Sequence, residues 1–311
     1  MKQKTANLLK LLLGIAILSL LVYSLGLNHL YDAFLGLNPL CLPAIICAIV
    51  LSLLAGGLSL KILTIPLNRA VPFLRLTKYY VYGWTLRSFL PANIGEFSII
   101  YFLSREDLSA GSSAAVFLIE KIMTSLIGVT LCILSLYIFV SGPAALKVFL
   151  YAAAGTIFLI FLLVALRNER FLKKLLGRYD AHLKECLATA LLYLKSRKFI
   201  LVLCFLSGLL KWASSALRIY LAFIAFGLRA SFADVLLIST AVSIVALIPL
   251  SPNGLGIREA TAAFLFQKIL LSPEKVTGAY LVLLALTYAG NLLSLPFLAR
   301  EKWDIKSFLS A

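Results

Sequence analysis

Residues 87–96 read Arg87-Ser88-Phe89-Leu90-Pro91-Ala92-Asn93-Ile94-Gly95-Glu96, a polar stretch set inside an apolar region that runs from 79 to 103. Proline removes a helical hydrogen-bond donor and glycine loosens the backbone, so this region is not one continuous helix. A second apolar region, 234–271, breaks in the same manner at Pro249-Leu250-Ser251-Pro252-Asn253-Gly254-Leu255-Gly256, with Arg258 and Glu259 just beyond. Both breaks run Pro, Asn, Gly, Glu in order: Pro91, Asn93, Gly95 and Glu96 in the first, and Pro252, Asn253, Gly254 and Glu259 in the second.

The sequence around these breaks belongs in a bilayer. Of 311 residues, 62% are hydrophobic and 14% are charged, the latter about half the share in a soluble domain. Uninterrupted apolar runs lie near 8–27, 40–65, 112–140, 148–166, 199–226 and 276–299, each long enough to span at roughly 17–25 residues. The first follows Lys2, Lys4 and Lys10 and extends from Leu11 to Leu27 with no small-residue cleavage site after it. It reads as a membrane helix and not as a secretory signal. The expected fold is all-α: a polytopic integral membrane protein with about six full spans and two broken segments.

Basic residues orient the chain. The loop 167–198 carries Arg167, Arg170, Lys173, Lys174, Arg178, Lys184, Lys195, Arg197 and Lys198, which places it on the cytoplasmic side. The N-terminal lysines, the loop with Arg69, Arg75 and Lys78, and the tail with Arg300, Lys302 and Lys306 share that side, so both termini are cytoplasmic. The loops 28–39, 141–147 and 227–233 are poor in lysine and arginine and face outward. Since 112–140 and 148–166 form a hairpin ending in the cytoplasm, 104–111 is cytoplasmic too, and region 79–103 enters and leaves on one face. The same count puts both ends of 234–271 outside. Each broken region is therefore expected to be a re-entrant helical hairpin. The halves 1–140 and 148–299 form an inverted-topology repeat within a single transmembrane domain, 1–311. The loop 167–198 has Leu172, Leu175, Leu176 and Tyr179 at helical spacing. It lies along the lipid interface or serves as a solvated connector.

Several function classes are disfavoured. Twenty-nine lysines and arginines against 13 acidic residues give a formal charge of +16. Most of this charge sits between apolar runs, where it serves orientation and contact with anionic lipid; nucleic acid is not an expected partner. Cys41, Cys47, Cys132, Cys186 and Cys204 show no CxxC spacing and read as apolar filler. His29 and His182 fall in expected loops. There is no GxSxG, HExxH, P-loop lysine or DDxxD, so neither a cofactor nor an enzymatic activity is expected, and a homo-oligomer is compatible with the sequence.

Charges in hydrocarbon are costly and need a reason. In the spans and broken segments they are Arg87, Glu96, Glu120, Lys121, Lys211, Arg218, Arg258 and Glu259. Five cations against three carboxylates make a cavity that favours an anionic group, and arginine offers phosphate a planar fork. A half-helix starting after either break aims backbone N–H groups into the membrane. Glu96 can also cap its half-helix and pair with Arg87. Thr124 lies one turn after Glu120. Lys211 and Arg218 share a helix face with Ser214 and Ser215 between, either as a path for a head group or as partners of the buried glutamates. Gly254 and Gly256 permit close backbone approach.

RSFLPANIGE (87–96), the Glu120-Lys121 pair and PNGLGIREA (252–260), in this order, resemble the flippase-like membrane domain of bacterial lysylphosphatidylglycerol synthases, over essentially the whole chain. The resemblance places Arg87, Asn93, Gly95 and Glu96 on one motif, Pro252, Gly254, Gly256 and Glu259 on another, and Glu120 on the acidic residue of the family's Glu-Arg pair. Ala92, Lys121 and Thr124 depart from its usual glycine, arginine and aspartate. The resemblance is to the membrane domain and not to the synthase's soluble aminoacyl-transferase domain, so lysine transfer is not expected. The resulting expectation is a flippase or scramblase in the cytoplasmic membrane that moves an anionic lipid. Arg87, Arg218 and Arg258 would hold phosphate, while Glu96, Glu120 and Glu259 balance charge or take up a proton, since burial raises carboxylate pKa values. Asn93, Lys121, Lys211 and Asn253 complete the candidate set. Two alternatives stay open: a membrane enzyme or accessory subunit acting on a lipid-linked sugar or phosphate, and an ion-coupled transporter of a small anion.

Overall fold

The structure is a computed structural model that describes residues 2–67, 71–89, 95–139, 180–247 and 251–301. In chain order its helices are α1 (Lys2–Leu25), α2 (Leu27–Leu35), α3 (Leu42–Thr64), α4 (Phe73–Phe89), α5 (Ser98–Ser104), α6 (Ala110–Phe139), α7 (Asp180–Ser196), α8 (Lys198–Ala225), α9 (Phe232–Val245), α10 (Ile257–Gln267) and α11 (Pro273–Ala299). No strand occurs among the described residues. The helical run Pro39–Leu67, together with Ala110–Phe139, Lys198–Ala225 and Pro273–Ala299, gives four helices long and apolar enough to cross a membrane.

Three expectations need revision. The first span does not end in a loop. Gly26 adopts φ 82°, and the chain turns by 84° into α2 where a loop was expected; the described residues hold four or five candidate spans. Leu30 and Ala33 are buried, and Phe34 meets the edge of Phe226 at 5.6 Å. That apolar face explains why 27–35 folds onto the bundle. The expected span 148–166 lies outside the described residues. The histidines expected in loops sit in helices, His29 in α2 and His182 in α7. Within the basic loop, 180–196 is neither a free connector nor a lipid-facing helix alone. Tyr193 is fully buried and its hydroxyl donates to the Leu63 carbonyl, while Ser112 and Thr189 share a 3.1 Å hydrogen bond that ties α7 to α6. Leu172, Leu175, Leu176 and Tyr179 lie outside the described residues.

Two bonds fix how α3 and α8 run against one another. The Asn38 N–H, just before α3, donates to Ala225 O at the end of α8 at 2.8 Å, and Tyr193, just before α8, reaches Leu63 at the end of α3. The two helices are therefore antiparallel. Helices α4 and α5 fold back on one another at the α3 C-terminal end, where Arg75 pairs with Glu106 at 2.8 Å and Tyr79 stacks on Phe102 at 5.2 Å. Helices α9 and α10 close at the other end, where Phe266 meets Phe223 at 4.7 Å. Cross-packing is reciprocal: α4 lies against α11 and α9 against α6.

The apolar residues collect into two cores, one around each folded-back pair. Leu60, Tyr82, Ile99, Phe102, Val116 and Cys204 belong to the first, and Ile45, Cys132, Phe223, Ile238, Phe266 and Tyr280 to the second. On α3, α6 and α8 the segments between the two cores carry the polar residues, including Ser52, Glu120, Lys211 and Ser214. Small residues let the helices approach closely enough to enclose that layer. A Cβ on Gly57 would strike the Thr77 backbone, and one on Gly56 would strike the Tyr80 ring. The Trp212 ring fills the notch at Gly128.

Gly57→Ala is expected to destabilise the protein by about 1–3 kcal/mol through overpacking. Gly290→Ala, at a helical site with nothing within 4 Å of the added methyl, should be neutral or stabilising by up to about 1 kcal/mol. Thermal unfolding of the two variants in detergent checks the contrast, and equal melting temperatures would contradict the close crossing of α3 and α4.

Candidate functional site

Four helices and the two breaks bring the polar layer together. On α4, Tyr80, Trp84 and Arg87 follow one face at spacings of four and three; Lys121 and Thr124 do so on α6, and Lys211, Ser215 and Arg218 on α8. All of these border a single cavity of about 150 Å³, together with Glu96 and Arg258. A neighbouring cavity of about 30 Å³ shares Arg218 and Arg258 and adds Asn253, Glu259, Tyr280 and Thr287. Arg87 and Arg258, from opposite halves of the chain, thus face one space.

The breaks owe their shape to glycine. Gly95 lies against the Leu86–Arg87 backbone of α4, where a Cβ would meet main-chain atoms; this contact turns the chain back and sets Glu96 beside Arg87. Gly254 and Gly256 take φ 72° and 79° and Asn253 takes φ 51°. Gly256 also abuts the α1 backbone at Gly14 and Leu18. Leu90, Pro91, Ala92, Asn93 and Ile94 lie outside the described residues; of Pro252, the structure gives the backbone position, in the turn Pro252–Gly254.

One part of the cavity wall is a closed charge network. Glu96 accepts from Arg87 at 2.8 Å and pairs with Lys121 at 2.7 Å. Lys121 also lies 3.4 Å from Glu120, whose other oxygen takes Lys211 and the Thr124 hydroxyl at 3.1 Å. Thr124 in turn accepts from Lys211 at 2.9 Å, and its carbonyl accepts from Trp212 Nε1 at 3.0 Å. Every carboxylate oxygen of the pair has a partner. Of the two sequence readings for Lys211, pairing with a buried glutamate is the one realised. Glu96 sits in the short turn before α5 and pairs with cations.

The other part is open. Glu259 caps α10, accepting from the Gly256 N–H at 2.7 Å, a role that accounts for its burial without a ligand. Arg258 has neither a salt bridge nor a hydrogen bond among the described residues, and its Nε is buried. Arg218 donates to Ser215 Oγ at 3.2 Å and lies over Trp84 at 5.5 Å, a cation–π contact, while its Nε is also buried and unpaired. Tyr80, Trp84, Trp212, Ser243, Tyr280 and Thr287 line these cavities without having stood out in the sequence. Helical spacing from Arg87 would have found the first two; the others needed the packing.

The comparison with known proteins bears on the whole assembly. Residues 7–294 match the family described as the lysylphosphatidylglycerol synthase TM region. The chain belongs to this family. A UPF0104 membrane protein from Methanothermobacter thermautotrophicus is 39% identical over 62 residues, a match covering 20% of this chain and 19% of that protein. With several long apolar helices, the family member is a multi-pass membrane protein.

Away from the cavity, Glu301 bridges Lys78 and Arg105, each at 2.9 Å, and so ties the end of α11 to the mouth of the α4–α5 pair. The hydrogen bond from Lys78 holds the Glu301 carboxyl below its ordinary range. A depressed carboxylate contributes stability above its unfolded pKa of about 4.3, and that stability is lost as pH falls through the folded value. Melting temperature should therefore drop more steeply in acid for the wild type than for Glu301→Gln, whose own cost is up to about 1 kcal/mol. Inside the membrane layer, Lys211→Met leaves Glu120 short of a partner and is expected to cost about 3–5 kcal/mol, much of it recovered by adding Glu120→Gln. A double-mutant cycle by thermal unfolding reads this, and additive losses would contradict the pairing.

Proposed function

We propose that this family member moves an anionic, phosphate-bearing lipid between leaflets of the cytoplasmic membrane, as a flippase or scramblase. The observation that carries the reading is a cavity, set between two apolar cores, in which Arg218 and Arg258 form no salt bridge among the described residues. In low dielectric an uncompensated cation is held only at high cost, and a phosphate that visits the cavity removes that cost. Apolar helices on either side suit acyl chains. The cavity wall described here offers no histidine, cysteine or aspartate, which favours transport over chemical conversion.

The architecture suits the task. We read α4–α5 and α9–α10 as re-entrant hairpins of an inverted-topology repeat, supported by their closure at opposite ends of the antiparallel α3–α8 pair and by the reciprocal packing on α11 and α6. Transporters of this kind bind at the midplane where interrupted helices meet. Glu96 and Glu120 act as fixed charges that hold Arg87, Lys121 and Lys211 in the wall. The basic end with Arg75, Lys78 and Arg105 faces the cytoplasm, as do both termini.

Liposomes carrying the protein and labelled anionic, zwitterionic or neutral lipids test this. Wild type should translocate the anionic lipid fastest, and Arg258→Ala should slow it by about tenfold or more, equivalent to about 1.4 kcal/mol. If no lipid moves faster than in empty liposomes, or if Arg258→Ala and Glu96→Gln leave every rate unchanged, the reading fails. Reporter fusions at residues 107 and 180 should be cytoplasmic, and those at 30 and 274 external; residue 107 outside would remove the re-entrant hairpin.

A further inference from the structure

We infer that the cavity selects a head group carrying two negative charges and a terminal phosphate, a phosphomonoester or diphosphate, over a singly charged phosphodiester. The inference rests on the head-group reading above and narrows it to a substrate class.

Charge balance gives the first line. Around the two cavities stand Arg87, Lys121, Lys211, Arg218 and Arg258 against Glu96, Glu120 and Glu259, which leaves two positive charges unmatched. Locally, the network of Arg87, Lys121 and Lys211 on Glu96 and Glu120 keeps one of these positive charges, and Arg218 and Arg258 beside Glu259 keep the other. A phosphodiester would neutralise one of them. A phosphomonoester carries about −1.5 to −2 near pH 7 and matches both.

Donor geometry gives the second line. Arg218 Nε, Arg258 Nε and the Tyr280 hydroxyl are each buried with no hydrogen-bond partner among the described residues, and all three residues border the smaller cavity. Buried donors are seldom left unsatisfied. Three orphaned donors around one space call for a ligand with three acceptor oxygens, which a terminal phosphate presents and a diester, with two free oxygens, does not. Asn253 stands on the same wall.

The test uses the purified full chain in detergent and follows intrinsic fluorescence, since Trp84 lies over Arg218. Three probes are titrated: dihexanoyl phosphatidic acid as the monoester, dihexanoyl phosphatidylglycerol as the diester, and inorganic pyrophosphate as the free anion. The monoester should bind at least about tenfold tighter than the diester. This preference should shrink as pH falls below about 6, where the second phosphate proton returns. Tyr280→Phe, which keeps the ring and removes one orphaned donor, should reduce the preference severalfold, and Arg218→Gln should abolish it. Equal or tighter binding of the diester overturns the inference, as does a preference unchanged in Tyr280→Phe and Arg218→Gln. If pyrophosphate binds as tightly as the short-chain lipid, the two-charge selectivity stands and the lipid reading falls. Binding of none of the three overturns both.

Discussion

Glu96 and Glu120 tie together three parts of the chain that are remote in sequence. Each carboxylate binds two cations, so the turn before α5, the middle of α6 and the middle of α8 are held at one level. In water such pairs would contribute little. Among apolar helices a separated charge finds no other partner, and breaking one pair strands the rest. Arg87 and Lys121 are accordingly fixed in the wall, and the folded-back α4–α5 pair cannot slide along α6 without separating ions in hydrocarbon.

That network explains why a polar cavity survives inside so apolar a chain. The two apolar cores stabilise the ends of the bundle, and the charged layer between them is shaped by what it must satisfy internally. Where all partners are present the wall is closed, as around Glu120. Where they are missing, around Arg218 and Arg258, the protein keeps a charge imbalance that an anion would relieve. The Trp84 ring over Arg218 tempers that imbalance without neutralising it. Chain folding thus separates charges locked in ion pairs from charges left outside them.

Much of the fold was legible because bilayer physics writes directly into sequence. The breaks at 90–96 and 249–256 were visible as proline and glycine within apolar runs, and α4, α5, α9 and α10 flank them as expected. The eight membrane-level charges were legible for the same reason, since hydrocarbon tolerates few. The turn at Gly26 and the helix α2 were missed: a short amphipathic helix carries polar residues at Asn28, His29 and Asp32 and looks like a loop to a hydropathy scan. Docking of α7 was missed too, because the buried contact of Tyr193 with Leu63 depends on a carbonyl freed at the end of α3.

By itself the sequence determined that the chain is helical and membrane-bound, where its helices break, and that an excess of positive charge lies at membrane depth; each follows from local composition and the cost of placing polar groups in lipid. Only the tertiary structure decided which charges cancel. Glu96, Glu120 and Glu259 look alike along the chain, yet the first two hold cations and the third caps a helix. Pairing is settled by distances between α4, α6, α8 and α10, and those distances are set by how closely glycines let the helices pack.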